Sequence, residues 1–307
     1  MAMNKKAFIF TSIVLIVLTL FFLSFTLRSP DAEKTTKKRV ETLDSLSKSL
    51  KKDMERNIYI AGYRTIFILE KKIVQTGTPI SSVELAAEEL FLNGTLNNNP
   101  EELMQGITFS EITSSLNLLA QKQNAQLQLQ SPVFTISQSD PWHLNISLSI
   151  SFNLSDNAKN AFWYTQETIS SYIDIEHFED PLYVIKTQGK ITNNITRTPY
   201  TAFVSDNNIS NLNDHIINSY YLASSDAPSF IDRLEGKTTP NPNGIESLVN
   251  LQKFSQQEAS VLDKAIIDHI YFSSSNPTAH QIQSLPSWAK VDDAHLSTYQ
   301  VEGLTIN

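Results

Sequence analysis

No cysteine occurs among the 307 residues. Disulfides, thiolate metal sites, thiol nucleophiles and lipid attachment through cysteine are thereby excluded. The compartment stays open, because a chain this long can build a core without disulfides. Glycine is scarce, at 8 residues, and no GxGxxG, phosphate loop, GxSxG or HExxH is present. A standard nucleotide cradle, nucleophile elbow or zinc-binding helix is therefore missing. The six histidines, His143, His177, His215, His269, His280 and His295, never fall at HxH or HxxxH spacing, so each reads as an ordinary surface or hydrogen-bonded histidine. No catalytic, cofactor-binding or metal-binding residue is assigned on these grounds, and no small-molecule substrate is identified.

One long apolar run is present. Ala7 to Leu27, AFIFTSIVLIVLTLFFLSFTL, carries no charge and has about the length of a helix that crosses a bilayer. It exceeds the apolar region of a cleaved signal peptide and leads into Arg28 with no small-residue cleavage site, so it reads as a retained single-pass anchor in the cell membrane. Residues 1–6 form a basic tail with Lys5 and Lys6; Arg28, Lys34, Lys37, Lys38 and Arg39 come after the run. A literal count of flanking charge puts the body inside. The short basic tail before a first apolar run, and the large size of the body behind it, favour export, and the body is read as extracytoplasmic.

Charge divides the remainder. Arg28 to Lys72 has 12 basic against 7 acidic residues, whereas Ile73 to Asn307 has 10 against 25. The acidic body lacks the basic footprint that nucleic acid requires. The expected architecture is α+β: an N-terminal transmembrane helix over 7–27, a basic amphipathic stalk helix over 28–76, then an acidic body over 77–307 with a helical segment, an antiparallel β-sheet and C-terminal helices. Val40, Leu43, Leu46, Leu50 and Met54 mark the buried stripe of the long helix, which packs on the chain's own body.

Within the body, Ser81 with Glu84 predicts a capped helix closing at Asn93-Gly94, Asn99-Pro100 predicts the start of another, and Phe109 to Leu119 a third. The clearest strand is HLNISLSISFNL, with Leu144, Ile146, Leu148, Ile150, Phe152 and Leu154 on one face. Gln126 to Gln138 is its expected antiparallel partner, interrupted at Pro132. Further strands are expected at Ser171 to Glu176 and Leu182 to Thr187, and helices at Ile209 to Ala223, Ala227 to Leu234, Ile245 to Phe254 and Gln257 to Phe272.

The polar cluster DIEHFED, Asp174 to Asp180, is the one place where oxygens gather for a hard cation or an acid–base pair. Asp174, Glu176, His177, Glu179 and Asp180 fit no known cation loop, and a solvated acidic strand end is the expected reading. Sequons occur at Asn93, Asn145, Asn153, Asn194 and Asn208, about as often as composition alone provides.

The start MNKKA, followed by FIFTSIVLIV and a long helix into a body with an antiparallel sheet, resembles type IV pilin-like proteins and is similar to single-pass surface proteins of archaea. That resemblance implies peptidase cleavage after Ala7 and assembly into a filament. Ser12 stands where the family has a glutamate. The expected role is a membrane-anchored structural or interaction protein at the cell surface, in contact with the lipid bilayer and with protein partners or further copies, without cofactor. The alternatives are an anchored enzyme using the carboxylates near Asp174 to Asp180, and a cytoplasm-facing anchored sensor or assembly factor.

Overall fold

Two helices open the chain, α1 (Lys5–Thr26) and α2 (Pro30–Thr76), in a computed structural model that describes residues 5–26, 30–158, 161–206 and 208–306. Among the described residues no helix is long and apolar enough to cross a membrane. The expected anchor over 7–27 extends beyond the residues whose side chains are described, which in α1 are 9–24.

The stripe of α2 is answered by the chain itself. Leu43, Leu50, Met54, Ile58 and Ala61 are buried in one core, so the segment expected as a stalk belongs to the body from Leu43 onward. Gly77, at φ +64°, donates its N–H to the Ile73 carbonyl and ends the helix in the left-handed conformation that glycine adopts without a Cβ penalty. Helix α3 (Val83–Asn93) is capped by Ser82, whose hydroxyl accepts from Leu85 N–H, one residue later than the expected Ser81.

The helix expected at Asn99-Pro100 is absent. Glu89 accepts the N–H groups of Asn97 and Asn98 at 3.0 and 2.7 Å and the Thr95 hydroxyl at 2.7 Å. With Asn97 and Asn98 both at positive φ, the chain turns back as a small hairpin, β1 (Thr95–Leu96) and β2 (Asn99–Pro100), followed by a 3₁₀ turn. Helix α4 (Phe109–Lys122) begins on a Thr108/Glu111 capping box and buries Ile112, Leu116 and Ala120.

The central sheet is an antiparallel meander of β3 (Ala125–Asp140), β4 (His143–Asp156) and β5 (Phe162–Asp174). All six even-numbered apolar residues from Leu144 to Leu154 are buried, each worth roughly 1.5–3 kcal/mol of apolar burial. A register shift between Gln130 and Val133 absorbs Pro132, which has no N–H for the ladder. Helices α2, α3 and α4 cover one face. Gly62 of α2 lies so close to β4 and β5 that a Cβ there would sit 2.7 Å from Ile146 Cγ1. Arg39 pins the start of α2 to the sheet, donating to Asp156 Oδ1 at 2.7 and 3.0 Å and to the Gln123 and Asn124 carbonyls.

Beyond the sheet the expected elements change type. Leu182 to Thr187 forms α5 (Pro181–Thr187), because Asp180 accepts from Leu182 N–H as its N-cap and Pro181 starts the first turn. Then come α6 (Ser210–Asn218), β6 (Tyr221–Ala223), α7 (Phe230–Leu234), β7 (Ile245–Ser247), α8 (Leu251–Gln256), α9 (Asp268–Tyr271), β8 (Ala279–Ile282), β9 (Lys290–Asp292) and β10 (Thr305–Ile306). The helix expected over Ile245 to Phe254 is a strand followed by a short helix, and the one over Gln257 to Phe272 shrinks to α9. Strand β6 pairs with β7, while β10, β8 and β9 form a third small sheet, absent from the expected set of C-terminal helices. These elements enclose a second core that includes Tyr183, Leu212, Val249, Ile266, Val291 and Tyr299.

Candidate functional site

The acidic stretch 174–180 separates into two parts. Asp174 and Glu176 stay at the surface: Arg197 forms an ion pair with Glu176, lies 3.8 Å from Asp174 and stacks over the Trp142 ring at 4.5 Å. His177 is exposed, with φ +74°. Glu179 and Asp180 turn inward, so the expectation of a solvated acidic strand end fails for them. Glu179 Oε2 is buried without a hydrogen-bond partner, and Asp180 is fully buried. A buried carboxylate must find donors, and Asp180 has them in Arg233 Nη1 at 2.5 Å, the Tyr221 hydroxyl at 2.7 Å and Leu182 N–H at 2.8 Å.

Arg233, also fully buried, is held by both cores. Besides Asp180 it donates to Asp268 at 2.9 Å and to the Ile245 carbonyl. Asp268 accepts further from the Ser247 N–H and hydroxyl and from His269 N–H. Burial pushes the Asp268 carboxyl up, but the Arg233 charge and the His269 contacts prevail and hold it at about 2. Asp180 moves the other way: its burial outweighs the Arg233 charge, and the neighbouring Asp268 charge adds to the rise. The densely bonded Asp268 is the stronger acid of the pair, and its position at the start of α9 fixes where His269 begins its side chain.

Beside this network, Glu246 of β7, His269 of α9 and His295, at the end of the 3₁₀ turn after β9, converge. One ligand-type atom from each lies within 4.8 Å of the other two, and all three side chains are buried. His295 Nε2 is 3.4 Å from Glu246 Oε2 without the alignment of a hydrogen bond. Each remaining polar atom of these two side chains is engaged: His295 Nδ1 pairs with Asp292 Oδ1 at 2.8 Å, and Glu246 Oε1 accepts from the Tyr299 hydroxyl at 2.8 Å. The His269 and His295 rings meet edge to face, with centroids 5.7 Å apart.

No protein-family model, curated protein or solved structure matches the chain. The arrangement is therefore read from its own chemistry. Burial alone would lower the His295 pKa, yet the hydrogen bond to Asp292 and the Glu246 and Asp292 charges lift it to about 10. Glu246 is held below the ordinary carboxylate range: burial opposes this, and contacts with His295, Ser224 and His269 prevail. His215, packed against the Phe203 and Tyr299 rings, is pushed down to about 4 by burial, while the Glu246 and Asp214 charges pull upward. The buried trio thus concentrates two imidazoles and a carboxylate, with Glu246 Oε2 facing His295 Nε2 at 3.4 Å and His269 Nδ1 lying 3.5 Å from Asp268 Oδ1, none of these atoms hydrogen-bonded.

His269 also borders a surface cleft of about 650 Å³, together with Asp226, Thr238, Pro240, Asn276 and Pro277. Sequence spacing does not reveal the trio, because its members come from three elements and no local pattern joins them. A usable signal is nonetheless present: Glu246 lies in GIESLV and His269 in AIIDHIYF, titratable residues set inside apolar runs, where an unpaired polar group is costly.

Proposed function

We propose that the chain is a single-pass membrane-anchored protein whose α+β body stands outside the cell membrane and works by contact. The observation that carries this reading is the surface of α1. Large apolar residues from Ile9 to Leu23 are exposed around the helix, with Phe10 68% and Leu15 67% accessible. Water-soluble surfaces do not leave so continuous an apolar area bare, whereas lipid tails would cover it. The resemblance to type IV pilin-like proteins fits the same plan, a helix leading into one that packs across an antiparallel sheet.

The body offers the open face of its central sheet for contact. Facing away from α2 are Tyr164, Gln166, Thr168 and Tyr172 of β5 beside Ser149 and Asn153 of β4, with both tyrosines 61% exposed. Such amphipathic rings contribute contact area at little entropic cost. Alkaline extraction of membranes, the mass of the mature N-terminus and protease treatment of intact cells test the reading together. We expect the chain to resist extraction, to begin at or before Phe8, and to lose its body to external protease. A mature N-terminus beyond Leu27, or release by alkali, overturns the anchor; cleavage seen only after permeabilisation overturns the outward orientation.

A further inference from the structure

We propose that Glu246, His269 and His295 form a binding site for a first-row divalent cation, of which zinc is the best fitted, with a fourth coordination position left open. The donor set is two imidazole nitrogens and one carboxylate oxygen, a combination that suits borderline cations better than calcium or magnesium. Zinc bonds to such donors are about 2.0–2.2 Å long, so two ligands on one tetrahedral ion lie roughly 3.4 Å apart. His295 Nε2 and Glu246 Oε2 already stand at 3.4 Å. With every pair of atoms within 4.8 Å, the His269 side requires a shift of about 1.5 Å at most to complete the set.

A second observation points to a ligand. Glu246 Oε2, His269 Nδ1 and His295 Nε2 are all buried with no hydrogen-bond partner. Buried polar atoms without hydrogen bonds are uncommon, and here the nearest groups are looser charge contacts, Glu246 Oε2 with His295 Nε2 at 3.4 Å and His269 Nδ1 with Asp268 Oδ1 at 3.5 Å. Their surroundings are those of a built site. Asp292 holds His295 Nδ1 and so orients Nε2 toward Glu246; a cation there would displace the Nε2 proton, and a carboxylate behind a metal-bound histidine also strengthens it as a donor. Tyr299 occupies the other oxygen of Glu246, and Asp268, anchored by Arg233 and Ser247, sets the start of α9 behind His269.

Three protein ligands are one fewer than a closed tetrahedral site uses. Structural zinc sites take four; sites with three keep water or a substrate atom in the last position. Among the described residues no other His or acidic group completes the cluster. Access comes from the side of His269, which lines the cleft with Thr238, Pro240 and Asn276. This inference is independent of the membrane reading, since an anchored contact protein and an anchored metalloprotein would share the same α1.

The test uses the full chain in detergent, stripped with chelator and titrated with zinc against a chromophoric competitor. We expect one zinc per chain, a loss of affinity of at least 100-fold in Glu246→Gln and in His295→Ala, and a 10- to 100-fold loss in Asp292→Asn. His143→Ala, on the distant sheet, should bind as the parent does. Near-UV circular dichroism of the stripped variants identifies any that fail to fold; the near-isosteric Glu246→Gln and Asp292→Asn then carry the test. Cobalt in place of zinc reads the open position: its visible band should be that of a four-coordinate ion and should shift on adding azide. No zinc retained by the parent, or equal affinity in the parent and folded Glu246→Gln, overturns the site. A cobalt spectrum indifferent to azide overturns the open position.

Discussion

Replacing Glu70 by glutamine should stabilise the folded chain, and by an amount that grows with pH. Glu70 lies on α2 at 9% exposure, and its Oε1 has no hydrogen-bond partner. Burial lifts its pKa from 4.5 to about 9, and the nearby Glu179 and Asp180 carboxylates add to the rise. Below pH 4.5 the group is protonated whether the chain is folded or not, and it imposes no penalty. Between pH 4.5 and 9 the folded chain keeps a proton that the unfolded chain has released. Stability therefore falls with rising pH by up to about 1.4 kcal/mol per unit, or roughly 3 kcal/mol by pH 7. Above pH 9 the folded group ionises too, and the loss levels off.

Glutamine keeps the shape and cannot ionise. Urea unfolding followed by tryptophan fluorescence at pH 5, 7 and 8.5 should show the variant ahead by less than about 1 kcal/mol at pH 5 and by about 3 kcal/mol at pH 7. The slope of urea dependence should be unchanged, since both bury the same surface. Parallel pH profiles for the two proteins would refute the reasoning, because they would mean that Glu70 is as free to ionise in the folded state as in the unfolded one.

Three other sites probe the packing. Arg39→Ala leaves the buried Asp156 carboxylate without its charge partner and should cost about 3–5 kcal/mol in urea unfolding, whereas Asp156→Asn together with Arg39→Ala should recover part of that loss. Gly62→Val drives a side chain into Ile146 and Ile173 and should lower the melting temperature by several degrees, at a cost of roughly 1–3 kcal/mol. Leu148→Asp should abolish the cooperative melt while Ser149→Asp changes it little, since the first residue faces the core and the second the open face of the sheet; equal effects would reverse that assignment.

The legible parts of the fold are those where one periodicity persists. Strand β4 alternates apolar and polar residues over its length, and only one strand orientation buries Leu144 to Leu154 together. Helix α2 repeats apolar residues at three- and four-residue steps from Leu43 through Met54, and its burial matches that repeat. Short apolar runs fail for the converse reason. Leu182 to Ile185 suits a buried strand as well as a helix, and the deciding contact is one hydrogen bond from Leu182 N–H to Asp180, itself held by Arg233 from α7. That bond is tertiary information, and a local reading lacks it.

The same distinction separates the two polar clusters. Asp174 to Asp180 draws attention because its charges are contiguous, yet contiguity along a strand and the turn after it sends successive side chains in different directions. Asp174 and Glu176 remain outside on Arg197, while Asp180 enters the core on Arg233 and the half-buried Glu179 turns one oxygen inward. Glu246, His269 and His295 are dispersed in sequence; the first two sit inside apolar runs, and the third follows the acidic pair Asp292-Asp293. Burial is the property that brings them together: a titratable side chain largely removed from water is retained only where other buried polar groups meet it. Asp292 and Tyr299 supply part of that need, whereas His269 Nδ1 beside Asp268, and Glu246 Oε2 facing His295 Nε2, stay without hydrogen bonds. A chemical site in this chain is therefore better sought from single acids and histidines embedded in apolar segments than from runs of acidic residues.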